Sequence, residues 1–257
     1  MSGFTILFRK ELTEAWRTRR LQVIAGLFAI VGMISPLTAR YLPEILKATL
    51  GDQMTVPIPQ PTVQSALEQL QKNLGQLGAL SAIALAMGSV AGELDKGTAA
   101  LILAQPVTRR AFLAAKLAAI GAVLAICTAL AVAGAWVYTA VLFEPGPVLG
   151  WVVLAGLAWL ALAAWASLTF LASAATASTA AAAGLGFVGL IGLSILAAVP
   201  AFDRLLPSGL AGPGLRIAAG TTAGLDGGSL ATAVAGTLVI VAASVVGAVV
   251  AFRRREL

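Results

Sequence analysis

The 257-residue chain is 59% apolar and only 11% charged, about half the charge of an ordinary soluble domain, so it is not built to stay in water. Its net charge of +6 is dispersed along the sequence and not gathered on one stretch, which argues against a nucleic-acid partner. With no histidine and a single cysteine, Cys127, the composition excludes an internal disulfide, a cysteine–histidine zinc site and any histidine-dependent acid–base or triad mechanism.

The first twenty residues place Phe4, Leu7, Phe8, Leu12, Ala15 and Trp16 on one face of a helix, with Arg9, Lys10, Thr13, Glu14, Arg17 and Arg20 over much of the rest. Such a helix lies in the membrane interface, where it acts as an anchor, as a docking surface for a partner, or as both. A charge-free stretch from 21 to 39 follows. It starts too late and runs too long for a signal-peptide core, so it is expected to be retained as the first span, over roughly 21–42. After it, Pro57-Ile58-Pro59-Gln60-Pro61 forbids a continuous helix, and Val63, Ala66, Leu67 and Leu70 then share one side of a short helix in a small external cap.

The second span, roughly 73–91, ends in a polar island, Gly92-Glu93-Leu94-Asp95-Lys96-Gly97-Thr98. An apolar segment, Leu101 to Leu103, comes next and would be costly to leave in water, which points to burial against a partner or the membrane surface. Past Pro106, Thr108 is placed to cap a third span over roughly 111–142, with Arg109 and Arg110 at its start and Cys127 packed within it.

The charge-free stretch from 145 to 202 is long enough for two spans and divides at the small polar segment Ser173–Thr179, giving spans over roughly 151–173 and 180–200. On the fourth span, Ser167, Thr169, Ser173 and Thr176 line a path or, more commonly for such residues, satisfy backbone carbonyls; on the fifth, Gly184, Gly186, Gly189 and Gly192 read as close helix packing in preference to a substrate groove. A broken external hairpin over 200–228 then leads to a sixth span over roughly 229–252.

The expected fold is therefore an all-α integral membrane protein of six transmembrane helices forming a single domain. Orientation follows from the basic residues. One set of polar segments carries Arg9, Lys10, Arg17, Arg19, Arg20, Lys96, Arg109, Arg110, Lys116 and Arg253 to Arg255, which is twelve of the seventeen, so both termini are expected on the cytoplasmic side. The excess positive charge there also attracts anionic lipid head groups.

Three motifs together resemble the permease subunits of ABC-2 class ATP-binding-cassette transporters. They are Phe8-Arg9-Lys10-Glu11-Leu12 with Trp16-Arg17-Thr18-Arg19-Arg20, the island Gly92–Thr98, and Gln105-Pro106-Val107-Thr108-Arg109-Arg110 followed by Lys116. In that family an interfacial helix precedes the first span, and a cytoplasmic coupling helix between spans two and three contacts the ATPase. Leu94 departs from the pattern, since many relatives carry a charge there.

The resemblance implies ATPase-coupling roles for Arg9, Lys10 and Glu11, for Gly92, Glu93, Asp95, Lys96, Gly97 and Thr98, and for Pro106, Thr108, Arg109 and Arg110. It implies a separate ATPase subunit that binds ATP and Mg²⁺, a second permease subunit (the same chain or a different one), and the inner (cytoplasmic) cell membrane as location. This chain holds no Gly-x-x-x-x-Gly-Lys-Ser/Thr cradle, so no cofactor or catalytic residue of its own is expected.

An exporter of an amphipathic or hydrophobic compound is the leading expectation, with no substrate residue assigned. The alternative is a complex of the same class whose movement acts on an extracytoplasmic partner. A secondary transporter or membrane enzyme is opposed by the missing histidine and the lack of charge deep in the spans.

Overall fold

The computed structural model describes residues 3–50, 60–99, 107–221 and 226–254, with the side chains of 46, 47, 49 and 50 left out of the description. All regular structure among these residues is helical. A short helix α1 (Gly3–Arg17) turns into the long α2 (Arg20–Leu50); α3 (Val63–Asn73) passes through a π-helical turn (Leu74–Gly78) into α4 (Ala79–Met87), and a break separates this from the short α5 (Ala91–Asp95). Next come α6 (Arg109–Leu142), α7 (Val148–Ala175) and α8 (Thr179–Ala197). The chain closes with α9 (Pro200–Asp203), a 3₁₀ turn (Pro207–Leu210), α10 (Ala211–Ala218) and α11 (Gly227–Arg253).

Six of these runs are long and apolar enough to cross a membrane: Arg20–Ile45, Val63–Asp95, Arg109–Leu142, Val148–Ala175, Thr179–Ala197 and Gly227–Arg253. The shortest, with 19 residues, rises about 28 Å, close to the ~30 Å hydrocarbon core of a bilayer. Their ends are set by local chemistry. Thr62, Thr108 and Ser178 accept a hydrogen bond from the backbone N–H three residues on, and Asp226 accepts one from Gly228 N, so each helix starts with one of its orphan donors satisfied. The amphipathic residues from Val63 to Leu70 run without interruption into the second span through the π turn, and they bury Ala66, Leu67 and Leu70.

Helix α7 is the hub of the bundle, touching α4, α6, α8, α10 and α11, while α6 packs along α2 and α1. The core between them holds Phe28, Leu67, Leu124, Leu154, Phe112, Phe170 and Phe252, and Cys127 is fully buried within it. Lipid tails are as apolar as these side chains, so close approach of backbones, and not escape from water, holds such helices together. Two crossings show it. A Cβ at Gly32 on α2 would overlap the carbonyl of Ala131 on α6, and one at Gly186 on α8 would press on Thr169 of α7.

Gly184, Gly189 and Gly192 have nothing near them, so of the four glycines on the fifth span only Gly186 is a packing glycine. At the end of the bundle away from α1, the segment from Pro200 to Ala218 folds over the start of α7, with the backbones of Gly146 and Gly150 against Ile217 and Ala218. Gly32→Ala is expected to destabilise the protein by on the order of 1–3 kcal/mol through overpacking, whereas Gly26→Ala, where a Cβ meets nothing, is expected to be neutral. Thermal melting of the two variants in one detergent checks this.

Candidate functional site

Helix α1 lies against the start of α6. Leu7, Leu12 and Ala15 pack onto the core, Phe4 and Phe8 stack with ring centroids 6.0 Å apart, and Phe4 and Trp16 remain exposed. This docking carries Lys10 and Glu11 to Lys116, two turns into α6, and to Glu93 on α5. Lys116 Nζ donates to Glu11 Oε1 at 3.0 Å and to Glu93 Oε1 at 2.8 Å. Lys10 Nζ donates to the same two oxygens at 3.1 and 3.2 Å.

The four side chains thus close a ring of alternating sign, Lys10–Glu11–Lys116–Glu93, with Glu14 adding a further contact to Lys10 at 3.3 Å. It joins three segments that are remote in sequence. The Lys116 side chain is 4% exposed, so its charge has left water and depends on the two carboxylates for compensation. Glu93 Oε2 is also buried and accepts nothing among the described residues.

Lys10 sits at the rim. Burial by itself would lower its pKa, but the charges of Glu11, Glu93 and Glu14 and its hydrogen bond to Glu11 outweigh this and hold it well above the usual lysine value. A raised folded pKa contributes stability that is complete below the ordinary lysine value and is lost only as pH rises beyond it, so Lys10 stays charged at every physiological pH.

A stripe along one face of α6 extends the ring to the last helix. Lys116 Nζ stands 5.2 Å from the Phe112 ring centroid, Phe112 stacks on Phe252 of α11 at 5.6 Å, and the Arg109 guanidinium lies 6.0 Å from the Phe252 ring. Arg109 Nη1 donates to the carbonyls of Phe252 and Arg253 at 3.4 Å, adding a cationic donor to the carbonyl end of α11.

A second device lies beside the ring. Between α4 and α5 the chain breaks at Gly88–Val90, and Ser173 of α7 fills the gap: its hydroxyl donates to Met87 O at 2.8 Å and accepts from Val90 N at 3.1 Å and Ala91 N at 2.9 Å. Ser173, Val90 and Ala91 are all fully buried. Ser167, Thr169 and Thr176 on the same helix bond only to carbonyls of their own strand of chain or its adjoining turn.

The described residues include no cluster of three acidic, histidine or cysteine side chains able to hold a metal ion. What is built is a mechanical junction, where an amphipathic helix and the polar end of the second span are clamped to spans three, four and six. The family model for the ABC-2 family transporter protein matches residues 5–202, which takes in the ring, the Ser173 clamp and five of the six spans. The chain belongs to the ABC-2 transporter family.

It is also 32% identical over 118 residues to the uncharacterized transmembrane protein YxlG of Bacillus subtilis (strain 168). That match covers 45% of this chain and 46% of the relative, so the chain aligns with about half of the relative's length. Family membership and six apolar spans make this chain a multi-pass membrane protein of a transporter family. ABC-2 permeases generally work with an ATPase subunit.

The residues expected at the ATPase contact fall into distinct settings in this ABC-2 permease. Lys10, Glu11 and Glu93 are inside the ring. Arg9, Asp95, Lys96 and Arg110 are exposed and engage no ion-pair partner among the described residues. Gly97 adopts φ +68, a left-handed turn just after α5, and Thr98 Oγ1 ties that turn to Glu93 O at 3.3 Å.

Gly92 continues the short helix through its N–H to Gly88 O and faces Thr179 at the start of α8. Thr108 caps α6, and Arg109 serves the end of α11. Pro106 and the segment Leu101 to Leu103 lie outside the described residues. The two side chains absent from that expected set are Lys116, whose signal was its place just after the third motif as the last charge of its helix, and Ser173, whose partners are on another span.

Proposed function

We propose that this permease is driven by a separate ABC ATPase that docks on α1 and on the 92–98 segment, and that both lie on the cytoplasmic side of the inner (cytoplasmic) membrane. The observation that carries the reading is the closed ring of Lys10, Glu11, Lys116 and Glu93. It makes the amphipathic helix, the end of span two and the base of span three a single body, so a push on either exposed element is delivered to the bundle. The uncommitted charges of Arg9, Asp95, Lys96 and Arg110 supply the recognition face around it.

The ATPase supplies ATP and Mg²⁺ binding. Its closure biases the permease between inward-open and outward-open states through its differential contact with the two. Two permease subunits flank the path; α8, the span with the smallest share of buried residues, offers uncovered apolar surface for the second one. Transport is outward, of an amphipathic or hydrophobic compound.

The test is co-purification with the ABC ATPase encoded beside it and ATP hydrolysis in lipid with and without the permease. The expected result is a stable complex with altered turnover, and reduced coupling in Gly97→Val, which strains a left-handed turn without touching the ring. Nucleotide-independent behaviour with no ATPase retained would overturn the reading. Glu93→Ala is a poorer probe of docking, because Glu93 is a member of the ring and its loss also destabilises the fold.

A further inference from the structure

Next to the ring, an open cavity of about 900 Å³ lies between the elbow joining α1 to α2 and the end of span two. One part of its wall is charged, with Arg19, Arg20 and Lys96 beside the ring residues and Asp95; another is apolar, with Val23, Leu85 and Met87. The cations stand at the membrane boundary, since Arg20 opens the first span and Lys96 follows the last residue of the second, while the apolar residues lie inside those spans. A wall that changes from charged to apolar across that boundary matches a molecule with a charged head and hydrocarbon tails.

Five cations and four carboxylates line the cavity. Lys10 and Lys116 are paired with Glu11, Glu14 and Glu93, which leaves that group with one negative charge over. Arg19, Arg20 and Lys96 engage no side-chain partner among the described residues, and with Asp95 and the surplus carboxylate of the ring set against them the wall keeps a net charge of +1. Arg19 is moreover the one described non-glycine residue with positive φ, at 60°. The chain accepts that uncommon backbone at a residue whose side chain meets no ion-pair partner among the described residues.

We propose that this cavity is a binding site for one anionic glycerophospholipid, its phosphate held by Arg19 and Arg20 with Lys96 opposite, and its acyl chains lying along Val23, Leu85 and Met87. The lipid then bridges the elbow and the end of span two, the two elements that the ion-pair ring already couples. The proposal rests on the chain's crossing the membrane and not on an ATPase, and its test contains none.

Native mass spectrometry of the full chain in a neutral detergent, titrated with phosphatidylglycerol or phosphatidylcholine, reads the site directly. One phosphatidylglycerol is expected to be retained in preference to phosphatidylcholine. Arg19→Gly with Arg20→Gln removes both guanidiniums while giving the left-handed position its preferred residue, and is expected to weaken phosphatidylglycerol binding on the order of thirty-fold. Arg253→Gln with Arg254→Gln removes as much charge from the end of α11 and is expected to change it little.

Lys96→Gln, on an exposed turn, should weaken binding about five-fold and decides the matter if the double variant fails to fold. Equal affinity for the two lipids, equal losses in both arginine pairs, no loss in Lys96→Gln, or displacement of the lipid by inorganic phosphate would each overturn the proposal.

Discussion

Lys116→Ala is expected to destabilise the protein by about 3–5 kcal/mol, the range for removing one partner from a buried ion pair. The cause is not the lost attraction alone. Without the Lys116 ammonium, Glu11 and Glu93, each about one-sixth exposed, face one another with only the half-exposed Lys10 between them. Lys96→Ala, a few residues from the ring but exposed, is expected to stay within about 0.5 kcal/mol of the parent.

The decisive measurement is a double-mutant cycle of Lys116→Ala and Glu93→Ala by thermal or denaturant unfolding in detergent. The two losses should fall short of adding by about 0.5–3 kcal/mol, because the second substitution removes one of the charges that the first left uncompensated. Additive losses would mean that Lys116 acts through Glu11 alone. The ring would then not transmit force from the 92–98 segment, and the mechanical role given to it would fail with it.

The class and the number of spans were legible because they rest on one physical minimum, the length of apolar chain needed to cross hydrocarbon, and five charge-free stretches met it. Thr108 was legible as a cap because its role is local and its partner, Ala111 N, is three residues away. The junction was not legible in the same way. Glu11, Glu93 and Lys116 are separated by 82 and 23 residues, and no periodicity relates them; only packing of α1 on α6 brings them together.

Arg109 illustrates the limit from the other side. Its neighbours Pro106 and Arg110 place it in a motif, yet its side chain serves carbonyls of Phe252 and Arg253, more than 140 residues on. Likewise, nothing in the run Gly184 to Gly192 distinguishes Gly186, pressed on Thr169, from its neighbours beside open space. That distinction depends on which side of α8 meets α7.

Ser173→Ala should have the second large effect, and it falls on the hinge of span two. The substitution removes the sole described acceptor of two buried N–H groups, Val90 and Ala91, and the donor to Met87 O. Each buried polar group left unpaired costs about 1–3 kcal/mol, so three at one break exceed what a helix interruption of this size can absorb unchanged. Ser167→Ala is the matched control: Ser167 is equally buried on the same helix, but its hydroxyl bonds only Ala164 O, which lies three residues back.

Hydrogen exchange separates the two roles. In Ser173→Ala the amides of Val90 and Ala91 should lose protection ahead of the rest of the bundle, since the break opens locally before the protein unfolds, while Ser167→Ala leaves them slow. Unchanged exchange at both amides would show that the break is held by the surrounding packing, and Ser173 would be a bystander. Early opening there would identify the Gly88–Val90 break as the point where the segment carrying Glu93 can move relative to the span above it.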